Sequence, residues 1–249
     1  VTGDWSSDVC SSDLPLKGPN LCDILKMQAR SISSIRRSEL SQAAFEAVIR
    51  YGLRGTTLEK VGEIAGVSKG VVLHHFKDKS ALLEAVFRRS NSVLSMSLLR
   101  LYRHAESPYE RFWAIAYANF SETIYNREVC QAWVSLLAEV PHNAMCQRVQ
   151  AANNARIKSN LSHELRHFLE GDRVPEVANL LGTLIDGIWV RAGLFAITPD
   201  CEKALNEFEF TTLYLVGASL DEEKHHKDAR EKIKTIAKIA LSPELFRPQ

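Results

Sequence analysis

The sequence predicts an all-α protein, and three patterns support this prediction. From residue 36 onward, no window alternates apolar and polar residues as a half-buried strand would. Glycines, prolines and capping residues recur at intervals of about one helix length. Apolar residues follow helical spacing, most clearly in the first predicted helix of the fold, where they fall at Leu40, Ala43, Ala44, Ala47 and Val48.

The composition is that of an ordinary globular protein. The chain has 249 residues, of which 45% are hydrophobic and 24% charged, enough to bury a core without disulfides. Its five cysteines are scattered without metal-ligand spacing, which predicts reduced thiols, no metal site and no cofactor. No stretch approaches the roughly 18 uninterrupted apolar residues of a membrane helix, and no secretory signal is recognisable, so we expect a cytoplasmic location.

Residues 1–35 are expected to lie outside the fold as a disordered or non-native tail. The stretch Ser6–Leu14 is a near-repeat of Ser-Ser-Asp that resembles a translated sequencing-adapter read. A natural disordered tail is the alternative interpretation. In either case the prediction of the fold excludes this segment.

Two short helices joined by a tight turn form the strongest local pattern. The first is opened by a capping box, Thr56 with Glu59, and is closed by Gly66. The second is expected at Lys69–Phe76, three residues after the first ends, and glycine adopts the left-handed backbone of such a turn cheaply. Together with the preceding helix, this pattern predicts a three-helix helix-turn-helix domain at residues 36–88.

The second helix of this motif carries candidate DNA-reading residues, because it can enter a major groove. Lys69 can donate to guanine acceptors, Gly70 permits close approach, and Val72 can touch a thymine methyl group. Thr57, at a helix N-terminus, and Lys79, at the start of the next helix, are candidate phosphate contacts. The predicted DNA-binding set is Thr57, Ser68, Lys69, Gly70, Val72, His74, His75 and Lys79.

Charge is distributed as this prediction requires. Residues 36–90 hold ten basic and six acidic side chains, an excess of four positive charges, whereas the whole chain carries 31 Lys and Arg against 30 Asp and Glu. A local excess of this kind is what contact with phosphate needs. We expect the domain boundary inside the fourth helix, followed by a helical ligand-binding and dimerisation domain at residues 89–218. A charged C-terminal extension follows at 219–249, either as an extra helix or as a tail.

The N-terminal domain resembles the DNA-binding domain of the tetracycline-repressor (TetR) family of bacterial regulators. The strings TTLEKVGEIAGVSKG (56–70) and HFKDKSALL (75–83) carry the resemblance. It implies a TetR-like fold of nine or ten helices, a homodimer, a palindromic operator in double-stranded DNA, and repression relieved by a ligand. The family often has a phosphate-contacting tyrosine where this chain has Leu73, so His74 or His75 is expected to take that role, or the contact is missing. For His75, a capping or packing role is the alternative.

The larger domain carries aromatic residues and acids in otherwise apolar helices. Such stripes are usually core, but several rings around one cavity can bind a quaternary ammonium by cation–π attraction. The acids Glu122 and Asp186 need partners if buried, and a cationic ligand or an arginine (Arg127, Arg191) would serve. The predicted ligand-binding set is Trp113, Tyr117, Phe120, Trp133, Asp186 and Trp189.

Two further strings are similar to helices of the BetI-like subgroup, the repressors of choline-to-glycine-betaine genes. They are QAWVSL (131–136) and LIDGIWVRAGL (184–194). The resemblance then extends over roughly Ser33–Gly217, and it implies choline or betaine aldehyde as the effector. A different small hydrophobic or cationic effector is the alternative.

Small residues on the eighth helix and an apolar ninth helix predict a four-helix dimer interface around a two-fold axis. The alternative is that these faces are intramolecular core. An enzyme or a ligand carrier without DNA binding is disfavoured, because no nucleophile, paired carboxylates or Gly-rich phosphate loop accompanies the histidines.

Overall fold

The computed structural model describes residues 21–195 and 198–241, with side chains from residue 33 onward. Within these residues the chain forms ten α-helices and one short 3-10 turn at Val140–His142, with no β-strand. The all-α prediction is therefore confirmed. The helices are α1 Leu21–Gly55, α2 Leu58–Ala65, α3 Lys69–His75, α4 Lys79–Tyr102, α5 Pro108–Phe120, α6 Arg127–Leu137, α7 Ala144–Leu165, α8 Val174–Leu194, α9 Cys201–Val216 and α10 Leu220–Ala240.

The first helix begins earlier than the sequence predicts. Residues 21–35 are helical, contrary to the expectation of a disordered tail, because Leu, Met, Gln, Ala and Arg in this stretch favour a helix. The remainder of the predicted tail, residues 1–20, lies outside the described residues. Gly52 has a left-handed backbone (φ 67°) and interrupts α1 where the sequence predicts its end.

The turn between α2 and α3 is held by glycine backbone geometry. Gly66 is left-handed (φ 65°) and ends α2 as predicted. A Cβ on Gly62 would lie 2.6 Å from the carbonyl oxygen of Val67, so the turn packs directly on the α2 backbone. The predicted cap at Thr56 is wrong by one residue. Thr57 is the N-cap and accepts from the Lys60 amide at 3.3 Å, while the Thr56 hydroxyl donates to the Gly52 carbonyl.

The long helix α4 contacts α1, which precedes the helix-turn-helix, as well as the later helices α5, α7 and α10. Near its middle, Arg89 donates to the Gln42 side chain of α1 at 3.0 Å. Its C-terminal half packs against α5 and α7, and α10 packs against it as well. Helix α4 therefore links α1 to the later helices α5, α7 and α10.

Helix α8 passes the length and composition test for a membrane span, with a mean hydropathy of 1.2 over its most apolar window. It nevertheless packs against α6, α7 and α9 and buries eight of its residues, as the core helix of a helical protein does. No other helix in the described part of the chain passes that test.

The C-terminal extension, for which the sequence left helix and tail open, forms α10. Ser219 and Glu222 make a capping box at its start, and the helix packs mainly on α5. Arg230 anchors α10 to α9 by donating to Asn206 at 2.6 Å and to Glu202 at 3.1 Å. Residues 219–241 of the extension are thus an ordered part of the helical core, and residues 242–249 lie outside the described residues.

Candidate DNA-binding surface and ligand cavity

Helix α3 presents most of the predicted base-reading residues to solvent. Ser68, Lys69 and Gly70 are exposed at its N-terminal end. The predicted contact of Val72 with a thymine methyl group is wrong, because Val72 is fully buried with Phe76 four residues later. Residues three or four apart share one helix face, so burial of this pair turns Val71 and Leu73 outward, at 36% and 41% exposure.

The candidate phosphate contacts lie at helix N-termini. Thr57 caps α2, and Lys79 is the first residue of α4, behind Asp78, which accepts from the Ala81 amide at 2.8 Å. Both Thr57 and Lys79 are exposed. Lys69 forms an ion pair with Glu59 at 2.5 Å, and this contact holds the pKa of Glu59 below its usual value. If Lys69 contacts DNA as the sequence predicts, it has to give up this ion pair with Glu59.

The two histidines at the end of α3 differ in their surroundings. His74 is exposed, and its ring lies edge-on to that of half-buried His75 at 5.2 Å. The His75 carbonyl accepts from the guanidinium of Arg37, which also lies 5.0 Å from the Phe76 ring. Arg37 thus supports the end of α3. Because His74 is more exposed than His75, it is the more accessible of the two histidines to a phosphate.

An internal cavity lies between α1, α4, α5, α6, α7 and α8. Its volume is about 30 Å³, room for one or two water molecules. Its lining is mainly apolar, with three neutral polar residues and one acid. The lining residues are Phe45, Ser90, Val93, Leu94, Asn119, Ile124, Val129, Trp133, Asn153, Ile157, Ile185, Asp186 and Trp189.

Three of the predicted ligand residues meet at this cavity. The rings of Trp133 and Trp189 are 6.4 Å apart and inclined at 68°. Asp186 lines the same cavity, and burial raises the pKa of its carboxyl group. Among the described residues no hydrogen bond or ion pair to this carboxylate is formed, and Arg127 and Arg191 are both exposed. The cavity therefore combines two indole rings with an acid that has no hydrogen-bonded or ion-paired partner among the described residues and that also lines a surface groove with Lys158.

The other three predicted ligand residues lie elsewhere. Trp113, Tyr117 and Phe120 do not line the cavity; they belong to the buried core. The Trp113 ring packs on Phe208 of α9 at 6.1 Å, and the Arg230 guanidinium of α10 lies 5.6 Å from it. Helix α5 is buried on all sides, so its aromatic face meets α9 and α10, while another face, carrying Asn119, meets the cavity. The other predicted acid, Glu122, is exposed.

Several residues that line the cavity were missed by sequence reasoning. Phe45, Asn119 and Asn153 come from three different helices, and nothing in their local sequence links them. The one signal in the sequence is asparagine within a helix; in the structure both amides are buried, with Asn119 6% and Asn153 3% exposed. Asparagine in an otherwise buried helix face indicates a polar function or a hydrogen-bonded core position.

Comparison with known proteins agrees with this arrangement. Residues 40–86 match the family described as bacterial regulatory proteins, tetR family, and residues 108–208 match the BetI-type transcriptional repressor, C-terminal, family. The chain is 35% identical over 174 residues to the HTH-type transcriptional regulator BetI of Pseudomonas aeruginosa, covering 69% of this chain and 88% of that one. It is 36% identical over 180 residues to BetI of Escherichia coli K12, covering 72% and 92%.

Solved structures share the fold at lower sequence identity. A transcriptional regulator from Pseudomonas aeruginosa PAO1 has a TM-score of 0.62 and 23% identity, covering 73% of this chain and 90% of that one. A TetR transcription regulator from Haloarcula marismortui has a TM-score of 0.59 and 17% identity, covering 83% and 98%.

A helix-turn-helix with an exposed second helix, joined to further helices around an internal cavity, is the architecture of a DNA-binding transcriptional regulator. The chain belongs to the TetR family of bacterial regulators, with a C-terminal domain of the BetI repressor type. Regulators of this family bind operator DNA and small-molecule effectors and act as dimers.

Proposed function

We propose that this protein is a dimeric cytoplasmic repressor whose operator affinity falls when a quaternary ammonium compound, choline or betaine aldehyde, binds in the cavity. One observation carries the proposal: the carboxylate of Asp186, without a hydrogen-bonded or ion-paired partner among the described residues, lies in the same cavity as Trp133 and Trp189. The sequence resemblance points to the same chemistry, because residues 131–136 and 184–194 are similar to helices of the BetI-like subgroup, the repressors of choline-to-glycine-betaine genes.

The chemistry of the cavity suits a cation. An indole face attracts a quaternary ammonium by about 0.5–2 kcal/mol, more as the pair is desolvated. The Asp186 carboxylate supplies the countercharge, and the ligand in turn relieves the cost of an unpaired, partly buried acid. A neutral ligand of the same shape gains neither the cation–π attraction nor the attraction to the carboxylate.

Binding is coupled to DNA through the helices that line the cavity. A cavity of about 30 Å³ has to widen to admit an effector of this size. Ser90, Val93 and Leu94 of α4 and Phe45 of α1 line it, so widening displaces the two helices that support α3. The effector lowers operator affinity because it binds the widened arrangement better than the narrow one.

The functions proposed for the two segments are those that the sequence predicts. Residues 36–88 bind DNA, and residues 89–218 bind the effector and dimerise. On α9, Phe210 and Tyr214 are one turn apart and 75% and 80% exposed, and Leu194 at the end of α8 is 61% exposed. Exposed apolar side chains of this size fit a two-fold interface with a second copy. Two α3 helices related by that axis require a palindromic operator.

Calorimetric titration of the ligand-free protein tests the effector assignment. We expect saturable binding of choline and betaine aldehyde. Two ligands serve as controls: glycine betaine, whose added carboxylate meets Asp186, and the neutral isostere of choline with a tert-butyl group in place of trimethylammonium. Equal affinity for choline and its neutral isostere would contradict a role for Asp186 and favour a small hydrophobic effector, which the mainly apolar lining also suits.

A further inference from the structure

A second recess, outside the effector cavity, carries an unusual set of charges. It is a groove of about 470 Å³ between α4 and α7. Its lining contains three arginines and no carboxylate among the described residues. The lining residues are Arg88, Asn91, Ser92, Ser95, Met96, Arg148, Val149, Ala152, Asn153 and Arg156.

The placement of the arginines follows from helix geometry. Arg148 and Arg156 are two turns apart on α7, about 12 Å along the axis, so they share one face. Ala152 lies midway and leaves the space between them open. Arg88 lies on α4, across the groove. The three arginines therefore line one recess from two helices.

Two of these arginines have no carboxylate partner in the described part of the chain. Arg156 donates to the Asn153 side chain at 2.6 Å and to the Asn91 carbonyl at 3.4 Å, and burial lowers its pKa. Arg148 contacts only the Met145 sulfur. Arg88 pairs with Glu84 at 2.8 Å, an exposed i,i+4 pair of the kind that contributes little. Two of the three positive charges in the groove thus have no carboxylate partner among the described residues.

The groove also supplies neutral partners. The hydroxyls of Ser92 and Ser95 donate to carbonyls of their own helix at 2.8 Å and can turn toward a ligand. Asn91 is 5% exposed, and its side-chain oxygen has no hydrogen-bond partner. An anion with a hydroxyl or a protonated oxygen would satisfy that atom while its charged oxygens met the arginines.

We propose that the groove between α4 and α7 is a binding site for a small dianion, a phosphate or dicarboxylate metabolite, held by Arg88, Arg148 and Arg156. Paired guanidinium forks recognise planar or tetrahedral oxyanions in this way. The site is separate from the cavity that suits a cation, although Asn153 lines both. An occupant would bridge α4 to α7, the same α4 whose position sets the DNA-binding half.

Titration calorimetry in Tris-chloride at constant ionic strength tests the site, with inorganic phosphate and succinate as separate probes. We expect saturable binding of at least one probe, with Kd below about 1 mM. The preferred probe distinguishes a phosphate from a dicarboxylate ligand. Heats that stay linear and unsaturable for both probes would overturn the proposal.

Variants locate the binding. Arg148 is exposed, so Arg148→Gln should fold normally and weaken the preferred probe about tenfold. Arg156→Lys keeps the positive charge but loses the forked guanidinium donors, so it should also weaken binding of the preferred probe. A melting curve checks that this variant still folds. Arg166→Gln, at the exposed end of α7, is the matched control and should leave affinity unchanged. Equal affinities in the Arg148 and Arg166 variants would contradict the assignment.

Discussion

The ring of Phe87 on α4 packs on the ring of Trp133 on α6 at a centroid distance of 5.5 Å. Phe87 is fully buried, and Trp133 lines the effector cavity. The helix that supports the DNA-binding half is therefore in direct contact with a residue that a ligand would touch. Because interiors are close-packed, a shift of the Trp133 ring cannot leave Phe87 in place.

Shortening Phe87 should uncouple effector binding from operator release. We expect Phe87→Leu to bind choline with little change but to need several-fold more of it to release operator DNA, because the cavity loosens without moving α4. Calorimetry and fluorescence anisotropy on labelled operator measure the two quantities. Phe112→Leu, an equally buried phenylalanine packed on Phe208, is the control for general destabilisation. Identical release curves for the two variants would argue against coupling through Phe87.

Neutralising Asp186 should remove cation binding and spare the fold. Asp186→Asn keeps the shape, loses the countercharge, and should weaken choline binding by about ten- to a hundredfold. Burial raises the pKa of Asp186, so the folded protein binds this proton more tightly than the unfolded chain does. The acid therefore costs stability above its unfolded pKa, and the variant should melt at or above the wild-type temperature near pH 7. An unchanged choline affinity would rule out the carboxylate as the counterion.

Two glycines of the helix-turn-helix should respond in opposite ways to alanine. In Gly62→Ala the new Cβ meets the Val67 carbonyl at 2.6 Å, which should destabilise the domain by about 1–3 kcal/mol. In Gly70→Ala the Cβ lies 3.7 Å from the Ser68 Oγ, and helix propensity favours alanine by about 1 kcal/mol. Gly70→Ala should thus raise the melting temperature yet weaken operator binding, if this position lies against DNA. Undiminished operator affinity in Gly70→Ala would remove Gly70 from the interface.

The stability of the C-terminal half should depend on pH through His226. This histidine is 1% exposed, and burial lowers its pKa to about 4. The unfolded chain, with a pKa near 6.5, binds the proton more readily, so stability is full above pH 6.5 and falls as pH drops toward 4. Urea denaturation across this range should show a loss of a few kcal/mol, and His226→Leu should flatten the curve between these pH values. A parallel decline in the variant would assign the effect to other groups.

The sequence alone predicts the DNA-binding half better than the cavity, because local rules act there. Gly66 and the short turn define the helix-turn-helix, although the cap is Thr57 rather than Thr56 and Val72 is buried rather than exposed. Helical periodicity identifies a buried face but not its partner. Periodicity therefore predicts that the stripe Trp113, Tyr117 and Phe120 binds the ligand. In the structure α10 packs on α5, and its Arg230 lies against the Trp113 ring.

The helices themselves could be predicted, but the sites between them could not. Trp133, Asp186 and Trp189 were recognised because large rings and an acid stand out in apolar helices. Phe45, Asn119 and the groove arginines become partners only when distant helices meet, and no local pattern encodes that meeting. Periodicity and capping residues in a single sequence predict where helices lie and which face is buried. Which helices pack together depends on packing over the whole chain.

The most direct test of the central claim is binding of the wild-type protein to DNA upstream of its own gene, with and without choline, at fixed moderate salt. We predict specific binding that choline or betaine aldehyde releases, while the neutral isostere of choline does not. Specific binding that ignores all three compounds would contradict control by a quaternary ammonium effector, and absence of specific binding would contradict this DNA as the operator.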